Sequence, residues 1–245
     1  MTIPRFYCPP PLNADTRFEL PQAAAHHASR VLRLRVNDEV RIFDGAGNEF
    51  HGQISEIEGK RVVLGKLQNC TVNSESPLNV VLAQALSSNE KMDWVIQKAT
   101  ELGVTEIQPV QTRRSMTKLA GERAEKRTQH WHGIIIAACE QCGRNMLPKV
   151  HAPLEFGTWI TALGNAPGSK FILLPEAAAT LRDQPEPQGK TTLLIGPEGG
   201  FSADEIQAAR QTGFVAVRLG ARVLRTETAA VAGIAALQTL WGDFA

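Results

Sequence analysis

At 245 residues, with 43% hydrophobic and 21% charged side chains, the chain has ample length to bury a core in one or two domains. A net charge of +1 excludes a polycation, so any contact with nucleic acid must come from local basic patches. No run reaches the length of a membrane span, the first residues lack a signal peptide's apolar centre, and four cysteines without framework spacing fit a reducing cytoplasm.

The first third predicts β structure interrupted by one helix. That helix starts near Pro21 and carries His26, His27, Arg30 and Val31. Glu39 to Asp44 reads as a strand and Asp44 to Asn48 as a turn. Glu49 to Ile57, the turn Glu58-Gly59-Lys60, and Arg61 to Leu64 read as a hairpin. Several short strands in so little chain predict a small barrel over residues 1–70. Asn69 to Pro77 is polar and reads as a linker.

From Leu78 the pattern changes to strands alternating with helices. Leu78 to Leu86 predicts a strand, and Asn89 to Leu102 an amphipathic helix that stops at Gly103. Val104 to Val110 is the next strand, followed by a long helix from Glu122 to about Cys142. Lys170 to Leu174, Thr191 to Ile195 and Phe214 to Leu219 are short apolar strands. Thr226 to Trp241 closes the chain as a helix apolar on nearly every side, buried either within its domain or against a second copy. This alternation predicts an α/β fold over residues 77–245, a mostly parallel sheet covered by helices.

Two strands run into glycines. Ile195-Gly196-Pro197-Glu198-Gly199-Gly200-Phe201-Ser202 ends in a capping box, Ser202 with Glu205, which opens a helix. Leu219-Gly220-Ala221-Arg222-Val223-Leu224-Arg225-Thr226-Glu227-Thr228 precedes the last helix. Glycine lets a ligand approach the backbone, so two such loops predict one pocket at the strand ends. Neither loop has the spacing of a P-loop or of a dinucleotide fingerprint. Glu198 disfavours a polyphosphate and suits a ligand with a cationic or hydroxyl-rich part.

Charged residues mark three further places. Arg30 and Arg33, at helical i, i+3 spacing, with Arg5, His27, Arg35 and Arg41 nearby, form a basic patch suited to phosphates or simply a solvated face. Arg113 and Arg114 follow a strand, where α/β proteins place ligands. Arg225 and Glu227 lie between a glycine loop and a buried helix, as an ion pair capping that helix or as substrate-facing groups. Cys139 and Cys142 have no second pair for a structural zinc, so no metal is expected, and Arg144 is a better ligand contact.

The two glycine loops together resemble the SPOUT methyltransferases, and most closely the RsmE family. The resemblance includes His27-x-x-Arg30-Val31-Leu32-Arg33, Ile96 to Gly103 and Ala138 to Arg144, in that order. It implies a PUA-like RNA-binding barrel, a knotted α/β domain, S-adenosylmethionine as cofactor, a homodimer, and methylation of uridine N3 in the 16S RNA of the small ribosomal subunit. A ribose 2′-hydroxyl methyltransferase and a non-catalytic RNA-binding assembly protein are the alternatives. By resemblance the cofactor loops map onto Leu174-Pro175-Glu176, onto Gly196, Glu198, Gly199 and Gly200, and onto Leu219, Gly220, Leu224, Thr226 and Thr228. Arg225 with Arg114 would stabilise the uracil anion, and Glu227 would orient Arg225 or take the proton. Arg5, His27, Arg30, Arg33 and Arg144 are the expected RNA contacts.

Overall fold

The computed structural model describes residues 3–244, which divide into two compact units. The first comprises Met1–Glu75 together with Ile136–Leu147, and the second Ser76–Ile135 with Pro148–Ala245. The first unit is therefore not contiguous in sequence, whereas the sequence reading divides the chain once, between residues 70 and 77.

The first unit is a curled six-stranded sheet. Its strands are β1 (Arg5–Tyr7), β2 (Phe18–Glu19), β3 (Glu39–Phe43), β4 (Glu49–Glu58), β5 (Arg61–Leu64) and β6 (Gln68–Cys70). The long β4 pairs with β3 and β6 along its first half, then with β5 beyond an irregularity between Ile54 and Glu56. That bulge bends the strand and lets the sheet curl. Inside the curl lie Phe6, Val40, Ile42, Ile54, Val62 and Leu64, packed against Ala24, Ala25 and Ala28. The alanines come from α1 (Gln22–His26) and a π-helical turn, His27–Val31, that extends it. The helix ends there, and Arg33 has a left-handed φ of 55°. Arg30 and Arg33 thus do not share a helix face, contrary to their spacing. The expected linker also differs, since β6 occupies part of it.

The second unit is a seven-stranded sheet. It contains β7 (Val80–Ala85), β8 (Glu106–Gln111), β9 (Lys149–Val150), β10 (Leu154–Glu155), β11 (Ser169–Leu173), β12 (Thr191–Ile195) and β13 (Val215–Val217). Every pairing in it is parallel, with spatial order β10-β8-β7-β12-β11-β13 and β9 beside β8. β7 and β12 at its centre are buried along their whole length, as their unbroken apolar sequence requires.

Neighbouring leucines on β12 show that helices cover both faces, because successive strand residues point oppositely. Leu194 packs with Phe156, Trp159, Ile160, Ala209 and Phe214, from α4 (Phe156–Leu163), α5 (Ala203–Gln211) and the residue before β13. Leu193 instead faces α6 (Thr226–Trp241) at Gly233, where an added Cβ would come within 2.8 Å of its Cδ2. A side chain at Gly233 would therefore push the helix off the sheet. The helix α2 (Asn89–Glu101) packs on α6. The sequence reading missed the short α4, β9 and β10. The long α3 (Gly121–Cys142) begins in the second unit and ends in the first.

Candidate functional site

In a parallel sheet all carboxyl ends lie on one edge. Three loops leave that edge after β11, β12 and β13 and enclose a cavity of ≈ 630 Å³. That is ample for a cofactor-sized ligand.

The β11 loop contributes Leu174, which is buried and donates its amide to the Val217 carbonyl at 3.0 Å, and the exposed Pro175 and Glu176. The β12 loop contributes Gly196, Glu198, Gly199 and Gly200. A Cβ on Gly196 would meet the Phe201 ring at 2.9 Å, and Gly200 has a φ of 68°, so both positions require glycine. The loop ends in the expected cap: Ser202 Oγ accepts the Glu205 amide at 3.3 Å and the Glu205 carboxylate accepts the Ser202 amide at 2.8 Å. The third loop contributes Leu219, Gly220 and Leu224. It is fastened where the Arg218 amide donates to Ala179 O at 3.0 Å.

Thr226 joins the second and third loops. Its hydroxyl donates to Gly196 O at 2.6 Å and accepts from Gln84 Nε2 at 2.9 Å, the latter bond buried at the sheet edge. Its side chain is thereby occupied in holding the loops together. Thr228, the last of the expected cofactor contacts, is exposed on α6 and does not line the cavity.

The charged groups fall into two sets. Glu198 accepts from Ser87 Oγ at 2.6 Å and Lys91 Nζ at 2.9 Å. Burial pushes its carboxyl up, but these two hydrogen bonds outweigh it and hold Glu198 below the ordinary carboxylate range. Lys91 also lies 3.4 Å from Glu227 Oε2. Glu227, expected from the sequence to pair with Arg225 or to face the substrate, is paired with Lys91 instead and does not itself line the cavity. The hydrogen bond with Glu198 raises the Lys91 ammonium above its usual range. Arg225 is exposed in the cavity wall, and among the described residues its guanidinium has no hydrogen-bond or ion-pair partner. Arg114 reaches in from the end of β8 and donates to Gly199 O at 2.8 Å.

An unpartnered guanidinium in a cavity wall can receive an anion that develops in a bound ligand. Glu198, in the same cavity wall, suits a cation. Sequence reasoning missed Lys91 and Ser87. The available signal was their position just after β7, the strand next to β12, at the same sheet edge.

In the first unit the expected RNA contacts separate into two groups. Arg30 and Arg33 are exposed, and His27 is half-buried with its ring edge-on to Phe6. Arg5 and Arg144 are not surface groups. Arg5 donates to Glu49 Oε1 at 2.8 Å, Cys139 O at 2.7 Å and Asn145 Oδ1 at 2.5 Å, and lies over the Phe43 ring. The Arg144 side chain is 5% exposed and bonds Glu75 Oε2 at 2.8 Å. Both are structural, because charge buried this deeply must be paired. Cys139 is buried too, and burial pushes its thiol up to about 12.

Fold and cavity define a class: a parallel α/β domain with a looped cofactor-type pocket, joined to a small curled β unit. The RNA methyltransferase domain family matches residues 74–238, and the RNA methyltransferase PUA domain family matches residues 20–67. The chain is 36% identical to the ribosomal RNA small subunit methyltransferase E of Buchnera aphidicola, over 99% of this chain and 95% of that protein. Among solved structures, the same-named enzyme of Neisseria gonorrhoeae, bound to S-adenosylmethionine, has a TM-score of 0.92 at 42% identity, with both chains covered in full. A Legionella pneumophila methyltransferase complexed with the same cofactor has a TM-score of 0.93 at 39% identity, again over both full chains. The chain belongs to the ribosomal RNA small subunit methyltransferase E family.

Proposed function

We propose that the protein transfers the methyl group of S-adenosylmethionine to N3 of a uridine in 16S ribosomal RNA of the small subunit. The observation that carries this reading is the unpartnered Arg225 in the wall of a cavity built by the Leu174, Gly196 and Leu219 loops.

The cavity fits such a donor on its own chemistry. Leu174, Leu219 and Leu224 offer an apolar slot for a purine, loop amides and carbonyls lie around it, and Glu198 tolerates a nearby cation. When bound, the donor supplies an electrophilic methyl on a positively charged sulfur. The protein's part is positioning and charge. Uracil N3 must lose its proton before its lone pair can form the new N–C bond as the S–C bond breaks. Arg225, assisted by Arg114, would hold the resulting negative charge on the ring. Glu227, held by Lys91, would receive the N3 proton. The target base has to leave its stack to enter the cavity.

His27, Arg30 and Arg33 on the first unit would contact RNA phosphates. A second copy of the chain would cover the half-buried Val231, Ala232 and Ala235 of α6, making a homodimer. The setting would be the cytoplasm; among the described residues no helix is long and apolar enough to cross a membrane.

Incubation with labelled donor and small subunits, followed by mass spectrometry of the modified nucleoside, tests the reading. Label on N3 of uridine is expected. Label on a ribose 2′-oxygen favours the alternative chemistry. Absence of donor uptake by calorimetry favours a non-catalytic RNA-binding protein. Sedimentation tests the dimer.

A further inference from the structure

α2 begins at the same sheet edge as the cavity, and Lys91 stands in its first turn. Its side chain is 31% exposed and reaches two carboxylates from different parts of the chain, Glu198 at 2.9 Å and Glu227 at 3.4 Å. Among the described residues no other cation lies within 4.0 Å of Glu227. Glu227 Oε2 is buried without a hydrogen-bond partner, so among the described residues Lys91 at 3.4 Å is its counter-charge. Glu198 has a second partner, Ser87 at 2.6 Å. The arrangement is asymmetric: Glu198 is held twice and Glu227 depends on one ammonium.

We propose that Lys91 is a positioning residue for methyl transfer, bridging Glu198 of the β12 loop to Glu227 of α6 so that Glu227 is held in place at the start of that helix. This rests on the methyltransferase reading above. Without the ammonium, the two carboxylates would be left near one another with no cation between them and would repel. A displaced Glu227 would misplace the proton transfer. Besides Lys91 and Glu198, the charged groups lining the cavity are Glu176 from the β11 loop, Arg114 after β8, and Arg218, Arg222 and Arg225 from the third loop; Glu227 stands behind this lining. On the far side of α2, Asp93 is paired with Arg127 and His130. None of these takes the place of Lys91 between the two carboxylates.

The test uses the full-length protein with Lys91→Met and Lys91→Arg. Methyl transfer to small-subunit RNA is followed as kcat and KM, and uptake of S-adenosylhomocysteine is followed by calorimetry. Lys91→Met should lower kcat by about ten- to a hundredfold. KM for RNA should stay near the wild-type value, and Lys91→Arg should recover most of the rate. Wild-type kcat in Lys91→Met overturns the proposal. So does an equal loss in both variants with a lowered Tm, which would make Lys91 a structural strut. If wild-type protein takes up neither donor nor product, the methyltransferase reading itself fails, and the role of Lys91 fails with it.

Discussion

The two units use arginine in opposite ways. In the first, Arg5 and Arg144 are buried and fully engaged by Glu49, Asn145 and Glu75. In the second, Arg225 stands exposed in a cavity wall, with no partner among the described residues. Folding has already satisfied the first pair, so they are parts of a scaffold. The charge of Arg225 is left for something the chain does not itself supply. Partnering, and not residue type or clustering, separates structural arginines from functional ones here.

That contrast can be broken by substitution. Arg225→Ala should cost the most: methyl transfer falls on the order of 10²–10³-fold while S-adenosylhomocysteine still binds, read by single-turnover rates and calorimetry. If turnover survives, the unpartnered arginine has no part in the chemistry. Arg144→Ala should act oppositely, leaving the half-buried Glu75 without its cation. A loss of about 3 kcal/mol, seen as a Tm lower by roughly 6–12 °C, is expected. RNA affinity of the folded fraction should be unaffected, and a selective loss of RNA binding would return Arg144 to the RNA surface.

Thr226→Val sharpens the comparison between loops. It removes the donor to Gly196 O and the acceptor for Gln84, at a cost of about 1–2 kcal/mol, measured by chemical denaturation. Cofactor affinity should weaken alongside, because the same hydroxyl ties two cavity loops together. Replacing Arg30 and Arg33 together by Ala should reduce RNA affinity several-fold and lower the salt slope by about one to two. Salt titrations of binding decide it, and an unchanged slope removes this patch from the interface.

The smallest effect concerns pH. Glu198 is held below its ordinary range, so its interactions stabilise the fold above the unfolded carboxylate's pKa and are lost as pH falls through the lowered value. Ser87→Ala should shrink that acid-side loss, measured as Tm against pH from neutrality down to below the ordinary carboxylate pKa. An identical profile in the variant would mean that Ser87 contributes nothing to holding Glu198 ionised.

Local signals carried much of this into the sequence. Ser202 with Glu205, Gly103 after α2, and the apolar runs of β7 and β12 each declare themselves through neighbours a few residues away. The glycine loops were legible because their requirement is local: Phe201 fills the space beside Gly196, five positions earlier in the chain. The partners of charged residues were not legible. Lys91 meets Glu198 and Glu227 only after the sheet has assembled, and Arg5 finds Asn145 at a separation of 140 residues. Arg144 and Arg225 look equally available in the sequence, and only long-range packing distinguishes them. The end of the helix at Val31 was hidden too, because Arg33 adopts a left-handed backbone that its residue type does not announce.

The divided first unit has a consequence for how the chain is made. Synthesis proceeds from the N-terminus, at about 5–20 residues per second, and domains commonly fold as they emerge. Here the strands up to Cys70 are delivered early, yet Arg5 and Glu75 must wait for Cys139 to Met146, which emerge only after β7, α2, β8 and most of α3. For that interval a nascent chain carries Glu75 without its cation, Arg144, so the barrel's last ion pair closes after the methyltransferase half has begun to form.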